Sequence, residues 1–248
     1  RLLGNLVFTR DSSGFAFAAG SAALFASQPY GASITDGSDA DTYGATGSFN
    51  LTTRAFAFAF DRFELRVGDA LTVTATTVAA AYDPTNTSAS QVIASIASAT
   101  FTSSLFSGLG TATLTNVVIR RNGFSLGAGS LAPSGGSVSV GSFLTLSGFS
   151  INVADLNVTY GATTAVTGTL NATASGLVLF PAGGFIQTNA RGIVTNFDFA
   201  TGRWTLTVAS FQLTIASAIR LTATNVAINP GATGAGAVLA TIASATLG

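Results

Sequence analysis

Along residues 55–60 every second position is phenylalanine: Ala-Phe-Ala-Phe-Ala-Phe. A β-strand has a side-chain period of two, so Phe56, Phe58 and Phe60 share one face and three alanines share the other. Burying one phenylalanine contributes about 1.5–3 kcal/mol. This segment alone therefore predicts which face of its strand turns inward. The parity then slips. Phe63, Leu65 and Val67 continue the apolar set on odd positions, and the slip falls at Asp61 and Arg62. Much later, Trp204, Leu206 and Val208 give way to Phe211, Leu213 and Ile215, with the slip at Ala209 and Ser210. A bulge or a bend between two sheets produces such a shift. Its recurrence predicts a bend that belongs to a repeated unit.

The repetition extends well beyond the slip. Residues 63–79 (FELRVGDALTVTATTVA) return as 211–227 (FQLTIASAIRLTATNVA), and 82–101 (YDPTNTSASQVIASIASATF) return as 228–247 (INPGATGAGAVLATIASATL). Residues 4–10 (GNLVFTR) resemble 115–121 (TNVVIRR), and 14–21 (GFAFAAGS) resemble 123–130 (GFSLGAGS). Self-similarity on this scale marks an array of one supersecondary unit. The chain divides into internal units 1–111 and 112–248 of a single continuous array, with an extra segment near 132–176 that has no counterpart in the first unit. Its two ends are complementary pieces of one unit. Leu247 corresponds to Phe101 and Arg1 to Ala112, so the tail of one copy leads into the head of another across a short gap.

The elements are strands. Val, Ile, Thr and Phe are frequent, and alternation runs through many segments. Turn signals separate them at 51–54, 67–70, 121–123 and 200–203, with Asp83-Pro84 and Asn229-Pro230 ending strands at matching places. Residues 88–100 and 235–246 are alanine-rich, yet their IASAT core alternates and reads as strand. The expected fold is all-β: an elongated antiparallel array of hairpin repeats, two-layered or sandwich-like. A β-solenoid is the alternative.

Composition narrows the chemistry. Across 248 residues the net charge is zero and only 8% are charged, with no His, Cys, Met or Lys. That removes the imidazole base, the thiolate nucleophile, the ordinary zinc site and the Schiff base. Neutrality favours neither nucleic acid nor an anionic membrane surface. No run of about 18 apolar residues predicts a transmembrane helix. Ten-residue alternating segments also fit a transmembrane β-barrel, but Trp and Tyr are too few for two aromatic girdles. The first residue is Arg rather than Met, which leads to the expectation of a processed product or a segment of something longer.

The densest acidic stretch, Asp36, Asp39 and Asp41 in a glycine-containing loop, is a weak calcium candidate, since alternating carboxylates can wrap Ca²⁺. The bidentate glutamate of an EF-hand is missing, and a sequence alignment of the two units sets residues 184–191, without any carboxylate, opposite it. A solvated turn is the plainer reading. Asp61, Glu64 and Asp69 beside Arg62 and Arg66 could suggest a hydrolytic carboxylate pair. Their counterparts Ala209, Gln212 and Ser217 are neutral, so outward cross-strand ion pairs are the expectation. Arg120 and Arg121 read as a solvated hairpin tip and Trp204 as core. No catalytic residue, cofactor or firm metal site is expected. Four Asn-X-Ser/Thr sequons, at Asn50, Asn86, Asn157 and Asn171, permit glycosylation without arguing for it.

In the segments FNLTTRAFAFAF and ELRVGDALTVTATTV, and their later echoes, the chain resembles repeat regions of large secreted or surface-anchored bacterial proteins, adhesin-like and filament-forming ones included. The resemblance implies an extracellular or cell-surface location and a scaffolding or adhesive role, and carries no site residues. Residues and resemblance together lead to a non-enzymatic structural protein. The expectation is a subunit or segment of a self-associating filament, sheath or surface layer, a head-to-tail homopolymer held by strand complementation. The alternative is an adhesin stalk that recognises glycans or a cell surface, with calcium at the acidic loop.

Overall fold

The computed structural model describes residues 2–24, 30–35, 44–67, 71–103, 110–132, 136–140, 144–179, 185–216, 218–229 and 237–248. Strands make up 79% of it and there is no helix among the described residues. The strands run in order as β1 (Leu2–Arg10), β2 (Gly14–Leu24), β3 (Tyr30–Thr35), β4 (Ala45–Asn50), β5 (Phe56–Val67), β6 (Leu71–Tyr82), β7 (Val92–Ser103), β8 (Thr111–Arg120) and β9 (Gly123–Ala132). They continue as β10 (Ser137–Val140), β11 (Leu144–Ser147), β12 (Ser150–Thr159), β13 (Ala165–Leu179), β14 (Ile186–Asp198), β15 (Arg203–Ile215), β16 (Ile219–Ile228) and β17 (Ala240–Leu247). The IASAT segments are strands, as their alternation predicts.

The sheet is antiparallel and does not close into a barrel. A solenoid needs parallel coils, and every described pair is antiparallel, as short hairpins dictate. The chain packs as two compact units. One comprises Arg1–Leu105, Ala112–Ala128 and Asn157–Ala165; the other comprises Phe106–Thr111, Gly129–Leu156 and Val166–Gly248. In the first, β1 pairs with β2, β2 with both β3 and β4, these with β5, then β5 with β6 and β6 with β7. In the second, β10 pairs with β11, β11 with β13, and β13 through β17 follow in sequence.

The two repeats share one bend. β5 pairs with β6 as Phe60↔Val78 and then Arg62↔Thr76, passing over Asp61 and Thr77. β15 pairs with β16 as Val208↔Val226 and then Ser210↔Thr224, passing over Ala209 and Asn225. Thr77 and Asn225 both have φ 48°, in the left-handed region that L-residues adopt only at a cost. The slip in hydrophobic parity is therefore a mid-strand kink, and the left-handed residue sits on the neighbouring strand.

Small residues gather at the kink. The buried apolar side chains among the described residues are Ala19, Ala45, Ala75, Ala99, Ala174, Ala190 and Ala223. Each lies within a few residues of a bend or pairs with one that does: Ala75 precedes Thr77 by two, Ala223 precedes Asn225 by two, and Ala99 pairs with Ala75. At these positions the side chain taken out of solvent is a methyl group. Among the described residues no large side chain is fully buried. The phenylalanines of β5 do share a face, but that face stays half-exposed, and Trp204, read from sequence as core, is 38% exposed on β15.

Candidate functional site

Two sheet edges stand out. In the ladders whose register is described, β17 runs along β16 and β1 along β2. All eight residues of β17 are exposed. Its sequence, ATIASATL, carries none of the charges or prolines that keep a free edge from pairing. Large exposed apolar side chains cluster at these edges: Leu6, Val7 and Phe8 on β1, and Val238, Leu239, Ile242 and Leu247 on or just before β17. The two strands also mirror an internal junction, because β17 repeats β7 in sequence and β1 repeats β8. There the chain bonds β7 to β8, and the Arg121 N–H donates to the Gln91 carbonyl at 3.0 Å.

That internal junction is braced by side chains. Arg121, expected as a solvated tip, lies 6.0 Å over the Tyr82 ring and donates from Nη1 to the Asn86 carbonyl at 2.9 Å. Arg120 donates to Ser125 Oγ at 2.9 Å. Gln91 is buried, and its Nε2 donates to the Asp83 carbonyl at 3.1 Å. Asp83 Oδ1 in turn accepts from the backbone and hydroxyl of Thr85. Those bonds favour the ionised form and hold the Asp83 carboxyl below its usual range. The loop between β6 and β7 is thereby tied to the turn that opens β9.

An aromatic ladder crosses the first unit beside the free edge. Phe8 stacks on Phe15 with ring centroids 5.6 Å apart, Phe15 on Phe49 at 5.4 Å, and Phe56 packs against both Phe58 (5.5 Å) and Tyr82 (6.0 Å). On the opposite face the matching positions are small, Ala16, Ala18, Thr46, Ser48, Ala57, Ala59, Ala79 and Ala81 in neighbouring pairs. This is the alternation of residues 55–60 extended over five strands. Phe8 is 65% exposed at the end of the row.

The other sequence candidates come apart. Asp36, Asp39, Asp41 and Asp69 lie outside the described residues. β14 runs unbroken along β15, Arg191↔Ser210 then Ile193↔Val208, with Gly192 at φ 60° in the kink. The first copy follows the same course in two pieces, Thr35↔Arg62 on β3 then Ala45↔Phe60 on β4. Residues 186–191 thus correspond in their pairing to β3. Among the described residues no cluster of three or more His, Cys, Asp or Glu side chains could hold a metal. Glu64 pairs with Arg66 at 3.0 Å and Arg62 at 3.6 Å, its neighbours two along the same strand, instead of across strands. An open depression of about 380 Å³ at the ends of the β1–β2 and β4–β5 hairpins includes Arg10, Asp11 and Asn50. Asp11 is occupied there: its Oδ1 accepts from the Ser13 hydroxyl and from the N–H groups of Ser13 and Gly14, which lower its pKa.

No protein-family model, curated protein or solved structure matches this chain. No helix among the described residues is long and apolar enough to cross a membrane.

Proposed function

We propose that this chain is a structural protein, an extracellular or cell-surface subunit or segment whose units cohere by strand complementation into a filament, sheath or layer. One observation carries the reading: the free edge of β17 reproduces the edge of β7 that β8 occupies, and β1 reproduces β8. The main-chain hydrogen bonds and apolar contacts that join β7 to β8 inside the chain are available a second time between copies. Exposed apolar residues at both edges support it. Low charge and the Thr-, Ser-, Ala- and Gly-rich composition suit an exported appendage. In the aromatic ladder the rings turn their faces to one another, at 15° and 24° between stacked planes. That geometry favours cohesion over stacking against a sugar, and so weighs against the adhesin alternative at this face.

The test is removal of residues 1–10, followed by sedimentation and negative-stain microscopy. Assemblies formed by the intact chain are expected to vanish. A milder variant, Phe8→Lys, keeps the strand while placing a charge in the joint, and is expected to weaken assembly. Polymers that survive both changes would defeat the proposal.

A further inference from the structure

Through β6–β8 and β14–β17, strands with and without a left-handed residue alternate at the bends. Thr77 in β6 has φ 48°, β7 has no such residue, and Asn116 in β8 has φ 53°. In the second unit Gly192 in β14 has φ 60°, β15 has none, Asn225 in β16 has φ 48°, and β17 has none. The alternation has a mechanical cause. Pairing resumes on both sides of Thr77, as Phe60↔Val78 and Arg62↔Thr76 toward β5, and as Val78↔Ile96 and Thr76↔Ser98 toward β7. One left-handed residue therefore turns two ladders. Asn225 does the same toward β15 and β17.

A strand added beyond β17 must bring its own kink. β1 has one: its ladder to β2 shifts between Leu3 and Leu6, around the position that corresponds to Asn116. We infer that the joint between copies is polar and open-ended: β17 of one copy pairs with β1 of another, and not with a second β17. This rests on the reading that copies join through their edges. A two-fold β17–β17 contact sets side by side two strands that have neither a left-handed residue nor a ladder shift at the bend, an arrangement that the bends through β6–β8 and β14–β17 avoid. A head-to-tail joint leaves β1 free on the first copy and β17 free on the last, so it propagates unless the rotation closes a ring.

The register follows from the internal junction. The bond from the Arg121 N–H to the Gln91 carbonyl carries over as Arg10 N–H to the Ala237 carbonyl. Phe8 then faces Leu239, which are 65% and 56% exposed in the single chain. Thr9 faces Val238 in a non-hydrogen-bonded pair, the closer of the two pair types.

The chain has no cysteine, so engineered thiols report alone. Thr9→Cys, Val238→Cys and Ser244→Cys variants of the full chain are oxidised separately and in pairs, and the products are weighed. Mixed Thr9→Cys and Val238→Cys chains are expected to form disulfide dimers containing one of each, at least tenfold above either alone. Ser244→Cys, in the middle of β17, is expected to give no dimer by itself. Dimers from Ser244→Cys alone, with none in the mixture, would overturn polarity and leave edge pairing standing. A chain that sediments as a monomer at every concentration would defeat edge pairing itself.

Discussion

Phe17 and Phe58 lie on strands that do not pair with each other, yet their ring centroids are 6.0 Å apart. Gly47 makes this possible. It sits in β4 between them, opposite Phe17 on one side and Phe58 on the other, and lacks the side chain that would hold them apart. A Cβ there would overlap the Phe17 ring and press on Phe58. Gly47→Val is therefore expected to lower stability by about 1–3 kcal/mol. Urea unfolding reads the loss, and near-ultraviolet circular dichroism reads the separated rings.

The kink residues invite the opposite change. Thr77 is β-branched and left-handed, a combination that costs roughly 1–2 kcal/mol before any compensation. Thr77→Gly is expected to raise the urea midpoint by about 1 kcal/mol of stability without changing the slope. A lower midpoint would mean that Thr77's side-chain packing outweighs its backbone strain.

The alanines inside the bend set the size limit at the corner. Ala75→Leu and Ala223→Leu are each expected to destabilise by about 1–3 kcal/mol through overpacking. The same change at exposed Ala57 serves as the control and is expected to shift stability by less than about 0.5 kcal/mol. Thermal melts of the three variants decide it.

Acid should loosen the turns. Asp11 is lowered chiefly by the Ser13 hydroxyl, Asp83 by the Thr85 hydroxyl and Asp198 by the Thr201 N–H. Folded values below the unfolded one, near about 3.9, mean stability that is present above that pH and is lost as pH falls through the folded values. Asp83→Asn keeps an acceptor oxygen and removes the titration, so its stability is expected to depend less on pH between about pH 5 and 2. An unchanged acid limb would show that this turn contributes nothing to acid unfolding.

Much of the architecture is legible in the chain because a strand's period of two is local. The Phe56–Phe58–Phe60 face, the slip at Asp61 and the IASAT strands are all readable from neighbouring residues. Depth of burial is not local. Trp204 occupies the position of Phe56 in the repeat, but whether a layer covers it depends on pairings far along the chain. Sequence alignment sees residue order but not that β3 and β4 together pair with β5 as β14 pairs with β15. Arg121 looks like a solvated tip until Tyr82 and Asn86, more than thirty residues away, arrive beneath it. The left-handed residues do carry a faint local signal: Thr76-Thr77-Val78, Thr115-Asn116-Val117 and Thr224-Asn225-Val226 share one pattern.

Cohesion between edges is most directly measured by amide hydrogen exchange at low and high protein concentration. The account expects the amides of Ala240–Leu247 and of residues 6–10 to exchange quickly in the single chain. Both should become protected together as assemblies form, while the interior strands β5 and β15 stay unchanged. Assemblies in which β17 still exchanges as fast as in the single chain would contradict it.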